Sequence, residues 1–230
     1  MLRLRDVHAY YDESHILHGM SFELRDGEVA TLIGRNGVGK TTTLRTIMGI
    51  VRARSGSIAL DDYELANLTS DLIAKRGIAY VPEERGIFAT LSVRENLLFA
   101  PVLAPGGWDV DRIFDAFPNL KARASAVGTT LSGGEQQMLA IARALRSGAK
   151  TILLDEPTEG LAPVIVERIG EIIREMKTAG ISVLLVEQNV RFAASVADRH
   201  HIVVQGRIEQ VLDTADLVAR ESDLLALLGV

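Results

Sequence analysis

Residues 34–41, with the sequence GRNGVGKT, constrain the fold of this chain more than any other segment. They follow the apolar run Val29–Ile33, and a helical pattern begins after Gly39 and extends to about Met48. The spacing matches the pattern G-x-x-x-x-G-K-[ST], in which a glycine-rich loop joins a buried strand to a helix. We therefore predict a strand, a tight loop and a helix here, as in an α/β domain built on a parallel sheet.

This pattern is typical of a loop that binds the phosphates of a nucleotide. Glycines let the backbone approach phosphate oxygens, and successive N–H groups and the helix N-terminus meet the negative charge. Lys40 would reach the terminal phosphates, Thr41 would ligate Mg²⁺, and Thr42 would add a phosphate hydrogen bond. The alternative, a glycine-rich turn without a ligand, is disfavoured because strand, loop and helix are in register. The predicted nucleotide contacts are Gly34, Arg35, Asn36, Gly37, Val38, Gly39, Lys40, Thr41 and Thr42.

The composition predicts a folded domain without disulfides or membrane spans. The chain has 230 residues, of which 47% are apolar, and it has no cysteine. Its apolar residues occur in short runs such as Val183–Val186, whereas a membrane-spanning helix needs roughly 20 in succession. The N-terminus lacks the apolar stretch of a secretory signal. A net charge of −5 argues against general binding of nucleic acid. We therefore expect a cytoplasmic protein with no nucleic-acid partner.

Strand and helix patterns alternate along most of the chain. Between Glu84 and Ala149 the pattern is helical instead, with a break at Pro105–Gly107. A further helix begins near Pro163 and ends before Gly180. This order predicts a mostly parallel sheet flanked by helices, with a helical lobe of residues 85–149 inserted between core segments 1–84 and 150–230. The predicted strands are Leu2–Val7, Met20–Leu24, Val29–Ile33, Ser57–Leu60, Thr151–Leu154 and Ile181–Val186.

Two carboxylates, Asp155 and Glu156, directly follow the apolar strand that ends at Leu154. Ligands of open α/β sheets gather at the carboxyl ends of the strands. We expect Asp155 to hold Mg²⁺ through its water shell and Glu156 to polarise the water that attacks the γ-phosphate. Taken alone, an Asp-Glu pair at a strand end is more often a solvated turn. The catalytic interpretation therefore depends on its combination with Lys40.

Residues 131–137, with the sequence LSGGEQQ, begin another predicted helix, in which Met138 and later apolar residues share a face. Ser132 and Glu135 fit the capping box S-x-x-E, a local role that needs no ligand. Two glycines beside the cap leave the positive helix terminus accessible to an anion. The segment is therefore both a helix cap and a candidate anion site.

The phosphate loop, the LSGGEQQ segment and the LLDEPT strand together resemble the ATPases of ABC transporters. The resemblance extends over essentially the whole chain, from Tyr11 to the segment Glu187–Asn189. It implies a P-loop NTPase (RecA-like) core with an N-terminal antiparallel β portion and an inserted α-helical signature lobe. It also implies that two such domains close head to tail, so that each ATP lies between the phosphate loop of one and the signature of the other. The residues that would act on the partner's nucleotide are Ser132, Gly133, Gly134 and Glu135.

Four positions refine this resemblance. Tyr11 lies where the family has an aromatic residue that stacks on adenine, and Tyr10 is the alternative by one position. Glu83 stands where most members have a Gln that touches the metal and the transport partner; its carboxylate would meet Mg²⁺, or else belongs to a solvated acidic turn. Gln188 replaces the usual His that contacts the γ-phosphate, and its amide donates a hydrogen bond but cannot become charged. Ala162 replaces an Asp of the commoner loop.

At the positions that depart from the common pattern, the sequence resembles one subfamily, the smaller ATP-binding subunits of branched-chain amino acid importers. Importers of amides, urea and other amino-acid-like solutes share much of the pattern. The sequence therefore does not distinguish which of these solutes is transported. The resemblance implies ATP hydrolysis with Mg²⁺, coupled to transport at the cytoplasmic face of the membrane. The implied partners are a second, non-identical ATPase subunit, two transmembrane permeases and, indirectly, a solute-binding protein. Because Gln188 replaces the His, we expect the isolated chain to hydrolyse ATP slowly.

The motifs of this chain are also compatible with two other functional classes. Non-transport ABC ATPases of translation or DNA repair usually carry two fused ATPase domains or a coiled-coil insertion. This chain has one copy of each motif and no heptad run, which argues against that class. A catalytically silent nucleotide-binding module is disfavoured by the intact Glu156. The pairs His200–His201 and Asp61–Asp62 suggest a metal, but we expect solvated or strand-edge positions. A terminal amphipathic helix is expected over Ala215–Leu228.

Overall fold

The computed structural model describes residues 1–221 and 224. The strands in chain order are β1 (Leu2–Tyr11), β2 (Ser14–Leu24), β3 (Val29–Ile33), β4 (Ala53–Leu60), β5 (Tyr63–Glu64), β6 (Ile78–Val81), β7 (Thr151–Asp155), β8 (Ser182–Glu187), β9 (Arg199–Val204) and β10 (Arg207–Asp213). The helices are α1 (Lys40–Ile47), α2 (Ser70–Lys75), α3 (Val93–Phe99), α4 (Val110–Ala116), α5 (Pro118–Ala122), α6 (Gly133–Arg146), α7 (Pro163–Thr178), α8 (Val190–Val196) and α9 (Thr214–Ala219).

The strands form two sheets. The larger has the order β10-β9-β3-β8-β7-β6, and its pairs are parallel except for the antiparallel hairpin of β9 and β10. The smaller sheet, of order β2-β1-β4-β5, is antiparallel. The predictions of a mostly parallel sheet and of an N-terminal antiparallel portion are confirmed. Because β3, β6, β7 and β8 are parallel, their carboxyl ends meet at one edge.

The apolar strands are buried on both faces of the larger sheet, as helices and the smaller sheet cover it. In β7, Ile152 and Leu154 belong to a cluster that includes residues of α6, α7 and α8. Leu153 between them belongs to the opposite cluster, which contains residues of α1 and of the antiparallel sheet. Successive side chains of a strand point to opposite faces of the sheet. Because both faces of β7 are buried, every residue of its apolar run contacts a hydrophobic cluster.

The helical segment between β6 and β7 packs around α6, which contacts α3, α4 and α5. Trp108, Ile113 and Phe117 are buried there, in the same cluster as Leu154 of β7. The core of this segment is therefore continuous with the core beneath the parallel sheet. We propose residues 85–149 as an inserted unit because these helices interrupt the alternation of strands and helices.

The His200–His201 pair is buried, which corrects the expectation of a solvated or strand-edge position. Both residues lie in β9, which pairs with β3 on one side and β10 on the other. His200 Nδ1 lies 2.8 Å from Thr31 Oγ1, and His201 Nδ1 lies 3.3 Å from the Thr31 carbonyl oxygen. Burial lowers the pKa of each histidine to about 4. Both rings are therefore neutral at pH 7 and serve the core. The Asp61–Asp62 pair lies in an exposed turn, as expected.

Part of the predicted terminal helix is present as α9, but residues 222, 223 and 225–228 of that prediction lie outside the described residues. None of the described helices is long and apolar enough to cross a bilayer.

Candidate nucleotide site

The phosphate loop joins β3 to α1 at the carboxyl edge of the parallel sheet. Gly37 and Gly39 have φ values of 79° and 105°, which residues with a side chain rarely adopt. A Cβ atom on Gly39 would lie 2.9 Å from Leu17 Cδ2. Gly206, in the turn between β9 and β10, donates a backbone hydrogen bond of 2.9 Å to the Val38 carbonyl. The phosphate loop thus packs against β2 of the antiparallel sheet and against the turn between β9 and β10.

Lys40 begins α1 and is buried, with 4% of its surface exposed. Its Nζ donates to the carbonyl oxygens of Gly34 at 2.8 Å and Arg35 at 3.0 Å. The same Nζ lies 3.5 Å from Glu156 Oε1. The loop after β3 and the end of β7, which is separated from β3 by β8, therefore hold one cation at the carboxyl edge of the sheet.

Asp155 is fully buried at the end of β7, and both of its carboxylate oxygens accept hydrogen bonds. Oδ1 accepts from Thr41 Oγ1 at 2.9 Å, and Oδ2 accepts from the Tyr80 hydroxyl at 2.8 Å. Burial raises the pKa of Asp155. The two hydrogen bonds act in the opposite direction but are weaker, so the pKa stays above its ordinary value. The Thr41 hydroxyl and the adjacent Asp155 carboxylate are oxygen ligands of the kind that Mg²⁺ prefers, so these two residues fit that ion. Glu83 lies in the exposed turn after β6 and lines a cleft together with Thr41.

Glu156 follows β7 with a φ of 45°, a left-handed value that is uncommon for a residue with a side chain. Gln188 Nε2 donates to Glu156 Oε2 at 2.7 Å. Burial would raise the pKa of Glu156, but hydrogen bonding to Glu159 and Gln188 and the charge of Lys40 lower it overall. The side chain is therefore an ionised acceptor at neutral pH.

Two carboxyl groups near this centre were not predicted. Hydrogen bonding to Glu156 and then burial raise the pKa of Glu159 to about 7. Glu187 ends β8 with 3% exposure, accepts from Thr158 Oγ1 at 2.6 Å, and has a pKa raised by burial. The rule that ligands gather at strand ends singles out Glu187, because β8 is parallel to β7. Glu159 has no comparable signal, because its role depends on the turn that brings it back to Glu156.

A cleft of about 400 Å³ brings half of the predicted site residues together. Tyr11 forms part of its wall with 42% of its surface exposed. Tyr10 instead stacks on His15, with ring centroids 4.1 Å apart, and lies beneath Arg54. Clefts of about 820 and 700 Å³ lie elsewhere, but neither contains the phosphate loop. The residues lining the 400 Å³ cleft are Tyr11, Ile16, Asn36, Gly37, Gly39, Lys40, Thr41, Thr42, Glu83, Glu156 and Glu159.

The remaining predicted residues lie outside this lining. Val38 lines a neighbouring cleft, while Gly34 and Arg35 contribute the carbonyl groups that hold Lys40. The segment from Ser132 to Glu135 forms the N-terminus of α6 and does not reach the cleft. Its capping box is complete, because Ser132 Oγ accepts from the Glu135 N–H at 3.3 Å and Glu135 Oε2 accepts from the Ser132 N–H at 2.7 Å.

The parallel sheet, the loop at the start of α1 and the carboxylates at the end of β7 define a P-loop nucleotide-binding domain. The model of the family described as ABC transporter matches residues 17–159. This chain belongs to that family, as an ATP-hydrolysing subunit. A solved structure, the ADP conformation of the ATP-binding cassette MJ1267, is similar with a TM-score of 0.82 and 26% identity, covering 97% of this chain and 95% of that chain.

Curated relatives match nearly the whole chain. The high-affinity branched-chain amino acid transport ATP-binding protein BraG of Pseudomonas aeruginosa is 45% identical, covering 90% of this chain and 91% of BraG. The probable branched-chain amino acid transport ATP-binding protein LivF of Archaeoglobus fulgidus is 39% identical, covering 90% of each. The lipopolysaccharide export system ATP-binding protein LptB of Escherichia coli is 35% identical, covering 90% of this chain and 88% of LptB.

Proposed function

We propose that this chain energises the import of branched-chain amino acids or of a related small amino-acid-like solute. The observation that carries the proposal is the 45% identity to BraG over 90% of the chain. The lower identity of 35% to an export subunit favours import over export. Glu83, Gln188 and Ala162 support the same proposal, because together they resemble the pattern of this subfamily.

In this proposal the cleft binds ATP. Tyr11 stacks on adenine, and the amides of the phosphate loop with the N-terminus of α1 meet the phosphates. Lys40 exchanges the carbonyl groups of its own loop for the terminal phosphates, because a buried ammonium requires a partner in either state. Thr42 adds a hydrogen bond from the first turn of α1. The cation of Lys40 thereby neutralises part of the charge of the bound nucleotide.

Thr41, Asp155 and Glu83 are the residues that would hold Mg²⁺. When bound, the ion supplies charge neutralisation at the β- and γ-phosphates. Glu156 polarises the attacking water, because its carboxylate is ionised at neutral pH and accepts a hydrogen bond. Gln188 positions Glu156, since its amide donates directly to the carboxylate at 2.7 Å. The amide stays neutral, so Gln188 orients the base without taking its proton.

A second ATPase subunit completes each site. Ser132, Gly133, Gly134 and Glu135 lie outside the cleft of their own chain, which supports a role toward the nucleotide of a partner. Closure of the two subunits would be transmitted through the segment of Glu83 to two permeases, and hydrolysis would reopen the pair. The chain would therefore act as a peripheral subunit on the cytoplasmic face of the membrane, beside a non-identical ATPase and, indirectly, a solute-binding protein.

Purification of the complex from detergent-solubilised host membranes tests this assembly. The tag belongs at the C-terminus, because the Met1 amine lies 2.6 Å from carboxylates of Asp26 and Asp61. We expect two permeases and a second ATPase to copurify, and leucine rather than urea to stimulate ATP turnover in the reconstituted complex with its binding protein. Recovery of an export complex, or of ribosomal or DNA-repair proteins alone, would overturn import.

A further inference from the structure

Tyr80 and Asp155 lie on the same face of two adjacent parallel strands. Tyr80 of β6 pairs in register with Leu153 of β7, and Asp155 follows Leu153 by two residues. Residues two apart on a strand share a face. That face packs against α1, because Tyr80 and Leu153 contact the cluster that contains Leu44. The tyrosine hydroxyl is thereby directed toward the end of β7 and the first turns of α1.

The contacts around the Asp155 carboxylate use both of its oxygens. The Tyr80 hydroxyl donates to Oδ2 at 2.8 Å, and the Thr41 hydroxyl donates to Oδ1 at 2.9 Å. Because Asp155 is fully buried, a carboxylate oxygen that lost its donor would be left unsatisfied. Two donors on opposite oxygens fix the rotation of the carboxylate and keep Oδ1 beside Thr41.

Arg45 lies beside Tyr80. Thr41 and Arg45 are four residues apart in α1 and so lie on one face of the helix. The proximity of Tyr80 and Tyr11 raises the pKa of the Arg45 guanidinium. Its Nη2 donates to Glu84 Oε1 at 3.3 Å. Arg45 therefore lies between Tyr80, which contacts Asp155, and Tyr11 on the cleft wall.

We propose that Tyr80 is a positioning residue that orients Asp155 for the binding of Mg²⁺ together with the nucleotide. The inference rests on the proposed nucleotide site. Groups that hydrogen bond to metal ligands fix the orientation of those ligands, and their loss typically weakens metal binding about 10–100-fold. Tyr80 binds neither ion nor phosphate itself. Its removal should therefore weaken the Mg²⁺-dependent part of nucleotide binding and leave the part without Mg²⁺ unchanged.

The test is a Mg²⁺ titration of the full-length chain with mant-ATP, a fluorescent ATP analogue. For Tyr80→Phe we expect the half-saturating Mg²⁺ concentration to rise about 10-fold. The affinity for mant-ATP in EDTA should equal that of the wild type. Tyr63→Phe is the matched control, because Tyr63 is exposed and stacks with Arg76 outside the cleft. Equal half-saturating concentrations for Tyr80→Phe and the wild type would overturn the inference.

A double variant separates positioning from general loosening of the fold. In an Asp155→Ala background, Tyr80→Phe should have no further effect on the Mg²⁺ titration, because Tyr80 acts through Asp155. An additive effect in that background, or a loss of mant-ATP affinity in EDTA, would contradict positioning. If the wild type bound no mant-ATP, the proposed nucleotide site itself would fail. Binding by the wild type with no difference for Tyr80→Phe would reject only the role of Tyr80.

Discussion

The carboxylate of Glu156 is held by groups from two distant parts of the chain. Lys40 comes from the start of α1, and Gln188 follows β8. Its φ of 45° stores local strain that these contacts compensate. At this scale the site consists of one ionised acceptor among carboxyl groups whose pKa values are raised by burial or by hydrogen bonding.

The substitution Glu156→Gln should abolish turnover without abolishing nucleotide binding. The amide keeps the size of the side chain but cannot accept a proton, so we expect the ATP turnover of the assembled transporter to fall about 100-fold or more. Affinity for mant-ATP should be retained. The control is Glu167→Gln, the same change at an exposed position of α7. Turnover at the wild-type rate would remove Glu156 from the mechanism.

Two helices of this chain begin with the same capping box. In α6, Ser132 and Glu135 exchange hydrogen bonds, and in α3, Ser92 and Glu95 do the same. Each box satisfies backbone N–H groups that have no partner within the helix. The two helices therefore share one stabilising device, but the glycines Gly133 and Gly134 follow the cap only in α6. This difference separates the local role of the cap from its proposed role toward a partner.

We expect Ser132→Ala and Ser92→Ala to lower the free energy of unfolding by a similar amount, about 1 kcal/mol, as measured by urea denaturation. Only Ser132→Ala should also lower the ATP turnover of the assembled transporter, because only that serine would contact the nucleotide of the partner subunit. An equal decrease of turnover in both variants would indicate that Ser132 acts through helix stability alone.

The stability of the whole molecule should depend on pH through His200 and His201. Each has a pKa of about 4 in the folded chain against an ordinary value of 6.5. The unfolded chain therefore binds more protons between pH 6.5 and 4, and the free energy of unfolding falls as the pH is lowered through this range. By pH 4 the loss amounts to about 3 kcal/mol for each histidine.

Urea denaturation at pH 7.5 and pH 5.5 measures this dependence. Replacement of both histidines by Gln should reduce the difference in unfolding free energy between the two conditions by about 1 kcal/mol for each site. The same pH dependence in the double variant and the wild type would contradict burial of the neutral rings.

Local patterns were sufficient for the main motifs and for the existence of six of the strands. The buried strand before the phosphate loop, the helix after it and the capping box of Ser132 all depend on residues close in sequence. The strands β5, β6, β9 and β10 were missed, and β1 extends to Tyr11 beyond the predicted Val7. Its bulged pairing with both β2 and β4 sustains this length. The buried histidines were misjudged because hydrophobic pattern alone does not reveal that a polar ring finds its partner on Thr31.

By itself, the sequence determined the α/β fold, the phosphate loop, the carboxylates at the end of β7 and the family. These features follow from residue type and short spacing, because strand period, helix period and loop chemistry are local properties. The tertiary structure alone decided which groups meet at Asp155 and Glu156. Tyr80 reaches this centre from β6, whereas Glu187 and Gln188 reach it from the end of β8, and their approach depends on the parallel register of the sheet. Burial there then sets the pKa values, which no local pattern encodes.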